Sequence, residues 1–422
     1  YIFIDKFNKK RKDTKLKLKR INVSDRKFFI HLNSVIFLCW LAQFAIGVSF
    51  FSLPPIINEI KKSFIISNTG VGLLLACKFI PFIFFSFPIG ILVDKWGSYK
   101  SSLISLSLMA IAGILKGLSV NYWQFFVLTF IQSFSVTIIL PAIIKTIKSK
   151  FPKHHYGKGM GIVSTGMATG IIFVSFLTPL ILIHFFWKWI IILYSSIPLL
   201  VLIVYLSNHS TIESSDQLTG QHYAFSAIII KDWRVYYIGL FYFVKTFIFF
   251  GLINWLPQFL QQNDFPFQSS WASALMMLTG IFSAIVIPSI FDRLKNKNFF
   301  IRIVMISLGL SIYFLIKIPG IYKILMIAFI GVCNGPISPM LNVMAMHLAK
   351  KGQEIGKIMG LLLTFGNIGA FLGSWLIGLI RDINHTFFYG FFVLVILSVI
   401  TAVIPIKSCK MENNKRTIMF KN

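Results

Sequence analysis

Acidic residues are scarce in this 422-residue sequence: 13 Asp and Glu stand against 41 Lys and Arg, and charged residues of both signs make up only 13% of the chain. Hydrophobic residues account for 56%, with 45 Phe among them. A water-soluble domain of this length cannot hide so much apolar surface, so lipid must cover part of it. Cysteine is also sparse. The four present (Cys39, Cys77, Cys333 and Cys409) are scattered over apolar runs and the tail, which speaks against a disulfide framework and a metal centre. Catalytic signatures are missing too. There is no Gly-x-Ser-x-Gly, no Walker loop and no metal-ligand cluster, and His184 and His347 fall near the ends of apolar runs. No enzyme, catalytic residue, metal or cofactor is therefore expected.

Long apolar runs are what the sequence does contain. Twelve can be counted, at about 32–57, 69–93, 101–119, 121–144, 160–183 and 186–206, then 235–257, 271–290, 299–316, 321–346, 356–380 and 386–406. Each is long enough to cross a hydrocarbon core of ~30 Å as a helix. An even number of spans puts both termini on one side. Thirty-two of the 41 basic residues fall on that side; only Lys61, Lys62, Lys116, Lys188, Lys317, Lys323 and Arg381 fall on the other. Such a bias predicts cytoplasmic termini, in a plasma or inner membrane.

The formal charge of +28 invites comparison with nucleic-acid binders. Its placement argues against them, because the polybasic lead in residues 1–30 has no folded reader. That lead suits anionic lipid at the cytoplasmic face, at ~1 kcal/mol per basic residue near the surface. It is too long in its basic part, and its first span lacks a small-residue cleavage pattern, to read as a cleavable signal.

An internal repeat organises the chain. Gly90-Ile91-Leu92-Val93-Asp94-Lys95-Trp96-Gly97 follows the second run, and Pro288-Ser289-Ile290-Phe291-Asp292-Arg293 follows the eighth. The two aspartates are 198 positions apart. Gly157-Lys158-Gly159-Met160-Gly161 returns as Gly356-Lys357-Ile358-Met359-Gly360 at 199, as do Thr165 and Gly170 in Thr364 and Gly369. The pattern predicts a duplicated six-span unit. The boundaries expected are a polybasic tail at 1–31, an N-terminal six-helix bundle at 32–206, a cytoplasmic linker at 207–234, a C-terminal bundle at 235–406 and a tail at 407–422. Repeats of this kind build transporters whose site lies at the repeat interface near the midplane.

With these residues on the page, the chain resembles the major facilitator superfamily over nearly its whole length. Gly90, Asp94, Lys95 and Gly97 are similar to that family's loop signature between helices 2 and 3, and Asp292-Arg293 to its degenerate copy between helices 8 and 9. Trp187-Lys188-Trp189 resembles the start of helix 6, and the stretch from Lys231 to Val235 the lead into helix 7. The sequence departs from the pattern at Ser98 and Tyr99, where basic residues are usual, and at Thr129, where the fourth-helix arginine would fall. Met167 after Gly166 lacks the Gly-Pro antiporter signature. The resemblance implies an all-α membrane protein: twelve transmembrane helices in two pseudo-symmetric bundles that alternate access to a central site. It also implies that Asp94 meets the start of helix 11 near Gly356 and helps keep the cytoplasmic side shut. Gly90, without a side chain, is expected to let helix 2 approach a neighbour.

Two cations lie inside spans. Lys78 and Lys245 each fall about ten residues into their runs, and burying a cation there costs at least ~2.5–3.5 kcal/mol. Every acid falls near a membrane surface, in a loop or in a tail, so neither lysine has an acid at its depth. The substrate is therefore expected to bring the negative charge, which disfavours a cation exporter and a symporter with its own titrating carboxylate. Gln43, Tyr242, Thr364 and Asn367 are the further candidate substrate contacts, with Asn334 and Asn342 as other polar lining. The expected protein is a monomeric secondary or facilitative transporter of a small organic or inorganic anion. A carrier of neutral or zwitterionic metabolites such as amino acids, and a non-transporting solute sensor on the same fold, are the alternatives.

Overall fold

The computed structural model describes residues 23–151, 156–209, 233–262, 269–291, 294, 297–348 and 352–404. Among them every regular element is helical. The first half of the chain forms α1 (Val23–Phe51), α2 (Ile57–Phe64), α3 (Asn68–Ala76), α4 (Ile80–Trp96), α5 (Ser98–Gly117), α6 (Tyr122–Lys150), α7 (Tyr156–Leu182) and α8 (Trp187–Ser207). The second half forms α9 (Trp233–Gln261), α10 (Trp271–Phe291), α11 (Lys297–Lys317), α12 (Lys323–Asn334), α13 (Ile337–Leu348), α14 (Gly352–Asn384) and α15 (Phe388–Val403). Taking α1 with α2, α3 with α4 and α12 with α13, eleven stretches are long and apolar enough to cross a membrane, and α15 is a shorter apolar helix of 16 residues. The all-α membrane fold expected from the sequence is the one observed.

Contacts divide the chain into two compact units. One holds Tyr1–Ile56 and Phe84–Ala224; the other holds Ile57–Ile83 and Phe225–Asn422. In the first, α1 packs on α7, and α5 packs on α6 and α8. In the second, α9 packs on α14, α11 on α15 and α12, and α10 on α12. Counted as spans, 1 pairs with 5 and 3 with 6; in the other unit 7 pairs with 11 and 9 with 12. The same order of partners recurs, as a duplicated chain requires.

Between lipid-covered helices there is little hydrophobic drive, so small residues that let backbones approach do much of the packing. A Cβ on Gly170 would meet the Phe44 carbonyl oxygen of α1 at 2.6 Å and the Val48 nitrogen at 2.8 Å. Gly90 behaves otherwise than expected. A Cβ built there meets nothing within 4 Å, so no neighbour makes the close approach that its sequence position suggests.

The second span is interrupted at its middle. Between α3 and α4 the chain makes one 3₁₀ turn, Cys77–Phe79. The cause is Pro81: it has no N–H to give the Cys77 carbonyl four residues back, and its ring crowds that carbonyl. The Ile80 N–H takes the Cys77 oxygen instead, in the tighter 3₁₀ pattern. The tenth span breaks likewise at Gly335-Pro336, between α12 and α13. Lys116, counted from sequence among the basic residues on the side opposite the termini, is buried at 1% exposure near the end of α5, and its ammonium donates to Gln132 Oε1.

Candidate functional site

The break in the second span places Lys78 in the 3₁₀ turn, 2% exposed, on an element that packs against α14. Lys245 sits mid-way along α9 and is partly buried. Its ammonium lies 4.9 Å from the centroid of the Phe249 ring. Phe249 is one turn on, the i, i+4 position that shares a helix face. From there a chain of rings continues. Phe249 meets Phe250 edge-on at 5.0 Å, and Phe250 meets Phe79, the neighbour of Lys78, at 4.6 Å. The turns that carry the two lysines are thus joined through three phenylalanines, all within the second unit.

A cation over a ring gains about 0.5–2 kcal/mol, less than the cost of placing the charge in the membrane. Among the described residues no carboxylate pairs with Lys245; the ion pairs found there are Lys62–Glu59 and Lys145–Asp94. Among the described residues the charge rests against the Phe249 ring and has no counter-ion.

The other candidates divide between the units. Tyr242 lies one turn before Lys245, its ring against Gly366, where a Cβ would meet it at 2.9 Å. Its hydroxyl is within hydrogen-bonding reach of Ser338. Thr364 and Asn367 flank Gly366 on α14. Thr364 Oγ1 donates back to Gly360 O at 3.1 Å and Asn367 Nδ2 to Leu363 O at 2.9 Å, so each bonds to its own helix. Gln43 belongs to the first unit, 7% exposed, with an Oε1 that has no hydrogen-bond partner. Asn334, at the break in the tenth span, leaves its Nδ2 without a partner. The phenylalanines were missed in the sequence because rings every few residues look the same in a chain so rich in Phe. The usable signals were Phe249 at Lys245 + 4 and Pro81 just after Lys78.

The loop signature is built differently from its candidate site. Gly97 has φ 83°, a left-handed value that favours glycine and explains why the loop needs one there. Asp94 is exposed, 3.8 Å from Lys145 Nζ. The same ammonium donates to the Val93 and Asp94 carbonyls at 3.3 and 3.2 Å, and so caps the C-terminal end of α4. Lys95 is exposed. Ser98 and Tyr99 are buried, with Tyr99 edge-on to His209 at 4.7 Å, a setting that suits a ring and not the basic residues of the usual pattern. Asp292 and Arg293 lie outside the described residues. At the start of α8, Trp187 is buried and Lys188 donates to Ser119 O at 2.7 Å, closing the end of α5.

Helical pairing and loop signature together define a transporter of small solutes. The family model described as Major Facilitator Superfamily matches residues 39–374, and the chain belongs to that family. It is 24% identical over 397 residues to multidrug resistance protein 2 of Bacillus subtilis (strain 168), covering 90% of this chain and 95% of that one. It is 20% identical over 387 residues to the 4-hydroxybenzoate transporter PcaK of Pseudomonas aeruginosa, covering 81% and 84%. Among solved structures, the inward-open xylose transporter XylE from E. coli shares the fold with a TM-score of 0.72 at 14% identity, over 88% of this chain and 95% of that one. The protein is a multi-pass integral membrane transporter.

Proposed function

We propose that the protein carries a small anion by alternating access between its two six-span repeats, with Lys245 and Lys78 as the cationic centre. The observation that carries this reading is Lys245: a membrane cation with an aromatic neighbour and no carboxylate partner among the described residues. A carboxylate or oxyanion would supply the missing charge through a charge-assisted hydrogen bond. The rings of Phe249, Phe250 and Phe79 favour anions with a flat apolar body, and one relative is named for 4-hydroxybenzoate. Tyr242, Thr364, Asn367 and Gln43 are the proposed polar contacts. The loop of Gly90, Asp94, Lys95 and Gly97, with Asp292 and Arg293 in the second repeat, is the proposed cytoplasmic gate.

Counterflow in proteoliposomes tests the proposal. Preloading with unlabelled benzoate or phosphate should draw the same labelled anion inward. A purified, folded protein that exchanges neither these nor other small anions overturns it. The names of the drug-resistance relatives favour a second reading, transport of drugs. The same liposomes decide between the two when offered a lipophilic cation.

The orientation proposed puts both termini and the Asp94 loop in the cytoplasm, from the basic-residue bias. Cysteines introduced at Ser149 and Ser215 should react only from the cytoplasmic side, and one at Gln262 only from outside. Labelling of both groups from one side would reverse the assignment.

A further inference from the structure

We infer that Asp382 is a latch that holds the outer end of the transporter closed by capping the second span. Its carboxylate receives four hydrogen bonds from the first turn of α3. Oδ1 accepts from Asn68 N at 3.0 Å and from Asn68 Nδ2 at 2.6 Å. Oδ2 accepts from Thr69 N and from Thr69 Oγ1, both at 2.6 Å. The first backbone N–H groups of a helix have no partner within it and carry its positive end, so a carboxylate answers both needs at once.

The contact is built from both sides. Lys61 Nζ donates to Asn68 Oδ1 at 2.7 Å, turning that amide so that its NH₂ faces Asp382. Ser67 Oγ accepts from Gly70 N, so the next N–H along is satisfied locally and Asp382 is left with the two before it. One turn before Asp382, Gly378 brings the α14 backbone against the Asn68 carbonyl, where any Cβ would collide.

Asp382 stands near the C-terminal end of its own helix, where the dipole disfavours an anion. Without α3, the residue would sit at an unfavourable place with its donors gone. Its position makes sense only while α3 is docked, which is the property of a latch. By sequence α3 belongs to the second span of the first repeat and Asp382 to the eleventh span, in the second repeat. This inference rests on the alternating-access reading: when the repeats rock, these two spans separate at the end opposite the Asp94 loop. The latch then stabilises the outward-closed state and must break to admit solute from outside.

Cys77, in the turn after α3, is the native reporter, because it is fully buried and that turn packs on α14. In a chain with Cys39, Cys333 and Cys409 replaced by Ser, a membrane-impermeant maleimide applied to the outside of intact cells should react slowly with Cys77. Asp382→Asn keeps the shape, but its amide NH₂ faces two donors, so no more than two of the four bonds survive. The labelling rate should rise roughly tenfold. Thr69→Val removes one donor without touching charge and should raise it about two- to threefold. A lower melting temperature with an unchanged labelling rate in Thr69→Val overturns the latch and leaves a plain structural cap. Should Asp382→Asn fail to fold, the Thr69→Val rate alone decides in either direction. Counterflow by the parent chain is measured alongside. Its absence strikes the transport reading, while the labelling rates still judge the latch.

Discussion

Two lysines inside apolar helices, a fully buried one in the first compact unit and a partly buried one in the second, show how differently the same charge can be housed. Lys116 ends α5 with its ammonium on the Gln132 carbonyl oxygen and 5.8 Å from the Phe125 centroid. Gln132 in turn points its Nε2 at Met109 O, 3.5 Å away, tying α6 to α5. Lys245 lies on α9 beside Phe249 with neither an amide nor a carboxylate to receive its protons among the described residues. The first arrangement fixes two helices to each other and is complete. The second leaves its ammonium against a ring, with no such acceptor among the described residues. On the proposed reading, the partner set distinguishes a packing lysine from a binding one.

The largest effect that would sharpen this comparison is on affinity at Lys245. Lys245→Gln should weaken anion binding ten- to a hundredfold, the loss of one charge-assisted contact of roughly 1.5–3 kcal/mol. Melting temperature should stay equal or rise, because an unpaired membrane cation burdens the empty protein. Lys245→Arg should keep part of the affinity if the anion is planar, since its fork meets two oxygens. A destabilised Lys245→Gln that still binds with parent affinity would sink the anion site and make Lys245 a second Lys116.

Lys116 supplies the opposite forecast. Lys116→Met removes the donor and leaves a buried Gln132 oxygen unsatisfied, at a cost of about 1–3 kcal/mol of stability. Anion affinity should be unchanged within error. Denaturation in detergent, read alongside binding on the same sample, checks both halves of the statement; a Lys116→Met protein that melts normally but loses binding breaks the comparison.

Much of this fold was legible because a bilayer imposes one length on every span. The runs read from residues 235–257 and 299–316 fall within helices at Trp233–Gln261 and Lys297–Lys317. The repeat was legible because duplicated turns keep their spacing. What the sequence hid was lateral. Lys116 reads as one more cation at the end of an apolar run, which gives no sign that a Gln from another helix reaches it. Asp382 reads as one more surface acid, because its four donors lie over 300 positions away in sequence. Gly90 carries the family's glycine, yet a Cβ there would meet nothing within 4 Å among the described residues. Lys78 and Lys245 were picked out by depth alone, whereas the rings that join them depend on helix rotation, which hydropathy does not encode.

The smallest effect concerns the loop signature, where both partners are modest. Asp94 and Lys145 are 3.8 Å apart, and the aspartate side chain is half exposed at 49%. Exposed pairs of that kind contribute about 0–1 kcal/mol, so Asp94→Asn should shift the melting temperature little. Lys145 has more to lose, because its ammonium also reaches the Val93 and Asp94 carbonyls at the end of α4. The Val93 carbonyl also accepts from Gly97 N at 3.0 Å, and the negative end of the dipole favours a cation beside both carbonyls. Lys145→Met should therefore destabilise more than Asp94→Asn, and it should do so even in an Asp94→Asn background. The double mutant should lie close to Lys145→Met alone, since the ion pair adds little once the cap has gone. If the loop also acts as a gate, Asp94→Asn will change accessibility while leaving stability nearly unmoved: cysteines placed at the N-terminal ends of α7 and α14 should react faster with a maleimide. Equal reactivity in the two proteins, together with Asp94→Asn proving the costlier single change, would show that the carboxylate serves the turn itself and that the gate lies elsewhere.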